Sequence, residues 1–147
     1  MIDLRGHHMK DNYKEDIKGL NLYFDPIFEK NDHVKYVQDW RNQYLGDALA
    51  ILKPSNELEV SKILKFANEK KLPVVPQGGN TGLCGGATPI INTNSIVLST
   101  EKLNKILSVD SHGKSITLES GVILSDIHDH LEKFDLLFPL NLGAKGS

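Results

Sequence analysis

Hydrophobic positions are irregular over the first forty-odd residues and become ordered from Tyr44 onward. Ala48-Leu49-Ala50-Ile51-Leu52 is an unbroken apolar run, the pattern of a strand buried on both faces. Pro54 and Ser55 then mark a helix start, with Ser55 expected at the N-cap and Glu57 and Glu59 in the first turn, where the helix dipole favours acid. Val60, Ile63, Leu64 and Ala67 recur at i, i+3, i+4 and i+7, one face of an amphipathic helix that Lys70 and Lys71 close with the favourable sign. Leu72 to Val75 is the next strand. These elements predict a strand–helix–strand unit with parallel strands and a right-handed crossover.

Ser95 to Ser99 is a third strand candidate. Lys105 to Val109 and Ser115 to Glu119 flank Asp110-Ser111-His112-Gly113-Lys114, a hairpin turn in which Gly113 is expected to supply φ > 0 and His112 to be solvated. A second helix is expected from Leu124 to Lys133, with Leu124, Ile127, Leu131 and Phe134 on its apolar side. Before Tyr44, the apolar residues Leu22, Phe24, Ile27, Phe28, Tyr36, Val37 and Trp40 suggest short helical stretches that wrap over the domain behind them. The expected division is an N-terminal wrap over 1–43 and a domain over 44–147.

Between the second and third strands runs Pro76-Gln77-Gly78-Gly79-Asn80-Thr81-Gly82-Leu83-Cys84-Gly85-Gly86. Glycines this dense let the backbone take φ > 0 and approach a ligand with no Cβ in the way. Successive N–H groups in such a loop can share one concavity suited to a diphosphate, with Asn80 and Thr81 adding side-chain donors. The loop leaves the carboxyl end of a strand, where open α/β sheets bind ligands. A dinucleotide fingerprint of the Gly-x-Gly-x-x-Gly type needs a helix at once, and Ala87-Thr88-Pro89-Ile90-Ile91 argues against one. The Gly113-Lys114-Ser115 triplet is no P-loop, since Ser108 stands where its first glycine belongs. Two readings stand: a cradle that works through backbone amides, and a glycine-rich turn that binds nothing.

Composition narrows the field only a little. The chain of 147 residues suits one domain with a core, and its formal charge of −2 offers no electrostatic case for nucleic acid or an anionic membrane. The single cysteine, Cys84, excludes an internal disulfide and a cysteine-cluster metal site. No apolar run approaches the roughly 18 residues of a membrane-spanning helix. Met1 to Lys10 has neither a secretory nor an organellar leader's character, and His7-His8 reads as part of a solvated terminus. His128 and His130, two apart on a helix, point about 200° from each other and cannot share a metal. Asp126 and His130 share a face and read as a surface pair.

Phe138 to Ser147 forms a second glycine-containing loop, Phe-Pro-Leu-Asn-Leu-Gly-Ala-Lys-Gly-Ser, and the chain stops inside it. That ending is expected of a fragment; a frayed natural terminus is the alternative. The two loops together resemble the FAD-linked oxidase superfamily of the vanillyl-alcohol oxidase type, within it the branch of D-2-hydroxyglutarate and D-lactate dehydrogenases. The likeness runs from about Asp39-Trp40 to Ser147. Departures are Cys84 where valine is common, Ala87-Thr88 where serine-valine is common, and Asn141 where aspartate is usual.

The resemblance implies an α+β fold, the α/β-like first half of a two-lobed FAD-binding domain of the PCMH type. It implies that Gly78, Gly79, Asn80, Thr81, Gly82 and Leu83 wrap the FAD diphosphate, and that Pro139, Leu142, Gly143 and Ser147 run beside the flavin and ribityl chain. No catalytic or metal-binding residue maps onto this chain. The parent activity it implies is hydride transfer from C2 of a small-molecule D-2-hydroxy acid to flavin N5, D-2-hydroxyglutarate first and D-lactate next, with the chain alone inactive and holding FAD weakly or not at all. Mitochondrial residence follows from the resemblance, cytoplasmic residence being the alternative, and the electron acceptor is left open. The competing reading is a truncated, catalytically inactive binding or interaction module.

Overall fold

The computed structural model describes residues 13–147; His7 and His8 lie outside them. The fold is α+β. After a helical stretch at residues 13–18 come α1 (Lys30–Val37), β1 (Ala50–Leu52), α2 (Glu57–Lys70), β2 (Val74–Gln77), β3 (Ile96–Ser99), β4 (Ile106–Asp110), β5 (Ser115–Leu118) and α3 (Leu124–Glu132). The first three strands form a parallel sheet of order β1-β3-β2, with Ile96 opposite both Ala50 and Val74. The expected strand–helix–strand unit is therefore present, and β3 lies between its two strands.

Strand periodicity explains why β1 and β3 read as continuous apolar runs. Successive side chains point to opposite faces. Ala50, Leu52, Ile96 and Leu98 pack with Ile63, Phe66 and Ala67 of α2 and with Ile17, while Ile51 and Val97 pack with Tyr36 and Val37 of α1. Both faces are covered, so every position in these strands is apolar or small and buried. Each large side chain removed from water here contributes roughly 1.5–3 kcal/mol. Outside β1, Ile27 exchanges two backbone hydrogen bonds with Ile51, each 3.0 Å, and shields that sheet edge. His33 on α1 is buried and its Nε2 donates to the Ile27 carbonyl at 2.9 Å, tying helix to bridge.

The start of α2 differs from expectation. Asn56, not Ser55, is the N-cap: its Oδ1 accepts from the Glu59 N–H at 3.0 Å. Glu59 reaches back past the cap, accepting from the Ser55 N–H and hydroxyl and from the Tyr23 N–H. Glu59 is buried. Burial pushes its pKa up, but the Ser55 and Tyr23 donors and the charge of Lys62 outweigh that and hold the carboxyl below its ordinary 4.5. One carboxylate thus pins the N-terminal segment to the first turn of α2.

Strands β4 and β5 form a separate antiparallel hairpin with an irregularity between Ile106 and Ser108. Its left-handed residue is Lys114 at φ 49°, not Gly113 as expected. Gly113 is needed for closeness instead. Asp110 Oδ1 accepts from the N–H groups of His112 and Gly113 at 3.0 and 2.9 Å, and a Cβ on Gly113 would stand 2.5 Å from Asp110 Oδ2. On α3 the buried stripe is narrower than expected: Ile127 and Leu131 are buried, whereas Phe134 is 43% exposed and stacks on His130.

Candidate functional site: a cavity at the carboxyl edge of the parallel sheet

Because β2 and β3 run parallel, they end on the same edge, and the residues after each strand meet there. Gly78-Gly79-Asn80 comes after β2 and Thr100-Glu101 after β3, with the Thr100 N–H donating to the Gln77 carbonyl at 2.9 Å. Ser120 to Ile123, which lead into α3, close the opposite side, and Lys35 and Tyr36 of α1 form a third wall. They enclose a cavity of about 370 Å³. The C-terminal loop lies across it: the Ser125 N–H donates to the Lys145 carbonyl at 2.8 Å, and Ser147 reaches Gly79.

The glycine loop is anchored by amide side chains. Gln77 is 2% exposed, and its Nε2 donates at 2.8 Å both to the Tyr36 carbonyl at the end of α1 and to the Ala87 carbonyl at the far end of the loop. Asn80 takes the left-handed conformation, φ 53°, and its Nδ2 donates to the carbonyls of Lys35 at 3.2 Å and Gln38 at 2.8 Å. It satisfies carbonyls that α1 leaves open at its C-terminus. Two expectations are corrected by this. The Asn80 amide faces α1 and is not a donor free for a ligand. Among the loop's glycines only Gly85 has positive φ, at 69°, so Gly78, Gly79, Gly82 and Gly86 are not there for backbone handedness.

Space explains Gly79. A Cβ there would stand 2.7 Å from the Ser147 carbonyl carbon, so the two loops approach only because the side chain is missing. Gly121 is tighter still, its Cβ position 1.9 Å from the Thr100 carbonyl oxygen. Meanwhile, from Gly78 to Ala87 no backbone N–H donates to a hydrogen-bond acceptor of another described residue. The loop is held from its side chains and ends, which leaves its backbone donors open.

Of the residues expected to form the site, Gly78, Gly79, Asn80 and Ser147 border the cavity. Thr81, Gly82 and Leu83 continue the loop away from it, with Leu83 47% exposed. Leu142 is exposed, Gly143 has open space where its Cβ would be, and Pro139 lines a different cavity, between Leu131 of α3 and Ile116 of the hairpin. Sequence reasoning missed Lys35, Tyr36, Thr100, Glu101 and Gly121. Thr100 and Glu101 carry a usable signal, since they come directly after a fully buried strand; Lys35 and Tyr36 reach the cavity only through tertiary packing.

The one acidic side chain in the wall is neutralised. Glu101 meets Lys53 Nζ at 3.0 Å and accepts from the Tyr36 hydroxyl at 3.1 Å. Burial raises its pKa, but Lys53, Tyr36 and the charge of Lys35 together hold it below the ordinary 4.5. Burial lowers the pKa of Lys53, and the Tyr36 and Glu101 contacts reverse that to a net increase. Open backbone donors, a paired carboxylate and the cation of Lys35 form an anion-compatible cavity. The residues present therefore fit the diphosphate of the dinucleotide that the resemblance implies. The volume is near the lower end of the ~300–1,000 Å³ of ligand pockets, room for part of a dinucleotide.

Comparison with known proteins agrees. Residues 48–147 match the FAD binding domain family. A mitochondrial protein of Schizosaccharomyces pombe assigned as a D-lactate dehydrogenase by name only is 46% identical over 131 residues, covering 89% of this chain and 24% of that protein. The mitochondrial D-2-hydroxyglutarate dehydrogenase of Danio rerio is 39% identical over 123 residues, covering 84% of this chain and 22% of that protein. The chain thus spans about a quarter of the length of these relatives. In fold, it superposes on substrate-bound p-cresol methylhydroxylase with a TM-score of 0.76 at 22% identity, over 93% of this chain and 28% of that one. With the glycine loop, the sheet edge and this match in place, the chain belongs to the FAD binding domain family.

Proposed function

We propose that the chain is the first part of the FAD-binding region of an FAD-dependent D-2-hydroxy-acid dehydrogenase, with D-2-hydroxyglutarate the favoured substrate and D-lactate the next. The observation that carries the cofactor reading is the run of open N–H groups in the glycine loop at the carboxyl edge of the sheet. Bound FAD supplies the two-electron acceptor for oxidation of the C2 alcohol. This chain's residues bind and orient. Gly78 and Gly79 present N–H groups to the diphosphate, Gln77 and Asn80 hold the loop in place, and the Pro139–Ser147 loop covers Gly79 and limits water. Thr81, Gly82, Leu83, Pro139, Leu142 and Gly143 serve the more distant parts of the cofactor.

The substrate reading rests on relatives named for D-2-hydroxyglutarate and D-lactate, and mitochondrial residence on the same names. No described helix is long and apolar enough to cross a membrane. The test is titration of the 147-residue chain with FAD into the millimolar range, followed by backbone amide NMR and by turnover of both acids. Shifts at Gly78 to Leu83 and at Gly143 to Ser147, without turnover, are expected. Unmoved loop amides at saturating solubility of FAD overturn the cofactor reading, and sustained turnover overturns the claim that the chain supplies only binding.

A further inference from the structure

The family match begins at residue 48, yet one wall of the cavity comes from α1, well before it. From this geometry we infer that Lys35 is a diphosphate-binding residue, supplied to the FAD cavity by the segment that precedes the family-matched region. The inference rests on the cofactor reading above and adds to it a residue and a source of charge.

Three observations carry it. First, position is fixed by the loop itself: Asn80 Nδ2 donates to the carbonyl of Lys35 and Gln77 Nε2 to that of Tyr36, so the glycine loop holds the backbone of the two residues that form the wall. Second, the side chain is kept on that wall. Lys35 Nζ sits 4.7 Å from the centroid of the Tyr36 ring, a cation–π contact, and Tyr36 is buried and held at its hydroxyl by Glu101. Third, Lys35 makes no ion pair with another described residue, whereas Lys53, the other cation beside Tyr36, is committed to Glu101. A diphosphate carries at least two negative charges, and open amide dipoles alone leave them without a counter-charge. Lys35 is the cation placed to supply it.

A plainer role competes. Lys35 lies in the last turn of α1, where a positive charge offsets the helix dipole. The two roles separate by ligand. Lys35→Ala, Lys35→Arg and the control Lys65→Ala, on the exposed side of α2, are titrated in the 147-residue chain with FAD, pyrophosphate and phosphate-free riboflavin, reading amide shifts and flavin fluorescence at low and high salt. Expected are affinities of Lys35→Ala for FAD and pyrophosphate about tenfold weaker than the parent's, as for loss of one charge-assisted hydrogen bond. Riboflavin binding should be unchanged, the salt dependence reduced, Lys35→Arg close to the parent and Lys65→Ala without effect. Equal FAD affinity for parent and Lys35→Ala, or an equal loss for riboflavin, overturns the inference and leaves the cofactor reading standing. A parent chain that binds neither FAD nor pyrophosphate overturns the cofactor reading and this inference with it.

Discussion

Gln77→Leu is the sharpest probe of how this fold makes its site. Leucine is one bond shorter than glutamine but of comparable volume, so at a position only 2% exposed cavity formation is a secondary effect. It removes both amide hydrogen bonds, to Tyr36 and to Ala87, and leaves those carbonyls without their donor. Each buried acceptor left unsatisfied costs about 1–3 kcal/mol. Tyr36 is buried and takes a full share; Ala87 is half-buried, so water replaces part of its loss. Against this, a buried leucine gains about 1 kcal/mol of apolar transfer. The net expectation is a loss of about 1–3 kcal/mol, roughly 3–10 °C in Tm for a chain of this size. Urea unfolding followed by circular dichroism should show a lower midpoint with unchanged slope. Amide exchange should accelerate in two places at once, the glycine loop and the C-terminal turn of α1, because one side chain joins them. Gln77→Glu should be worse than leucine, since a carboxylate would face two carbonyl oxygens. A midpoint within about 0.5 kcal/mol of the parent, or faster exchange in one segment only, refutes the role assigned to Gln77.

Two other outcomes are expected from the same geometry. Glu59 has a carboxyl held below its ordinary 4.5, so its stabilising contribution is in full force above that pH and is lost as pH falls through the folded-state value. Glu59→Gln should therefore unfold at lower urea at pH 7 and show a flatter decline below pH 4.5; a decline parallel to the parent's would remove Glu59 from the acid response. Gly121→Ala places a Cβ 1.9 Å from the Thr100 oxygen and 2.9 Å from that of Leu103, a backbone clash that no rotamer relieves. It should cost about 1–3 kcal/mol or more and displace Thr100 from the cavity wall, read as a lower urea midpoint together with weaker FAD-induced shifts at Gly78. Parent-like values for both would show that the two segments can part without consequence.

What the sequence discloses depends on how local its cause is. β1, α2 and β3 are legible because burial on both faces writes an unbroken apolar run, and a helix against one face writes Ile63 and Ala67 at helical spacing; Leu64, expected on that face, is 46% exposed, and Phe66 is buried there instead. The cap of α2 is harder: Ser55 and Asn56 are both good N-caps, and the choice falls to Asn56 because Glu59 is occupied with Ser55 and with Tyr23, a residue 36 positions from Glu59. The end of β2 is hidden by Pro76, which usually stops a strand. Here the strand runs on to Gln77, because β2 is at the sheet edge and a missing N–H there costs no ladder bond.

The glycine loop shows the limit most plainly. Its glycines announce that something comes close, but not what. Flexibility and positive φ are the local explanations, and they hold only for Gly85, whose Cβ would meet the Tyr44 ring at 2.8 Å in any case. Gly79 is required by Ser147 and Gly121 by Thr100, contacts between segments far apart in the chain. Asn80 combines both kinds of cause: its left-handed backbone is a local preference of asparagine, while its amide is directed by the open end of α1. A motif that reads as a single ligand-binding run is thus a division of labour. Gln77 and Asn80 bind the protein, the glycines make room, and because those side chains anchor the loop from outside, its own N–H groups are left without an acceptor among the described residues.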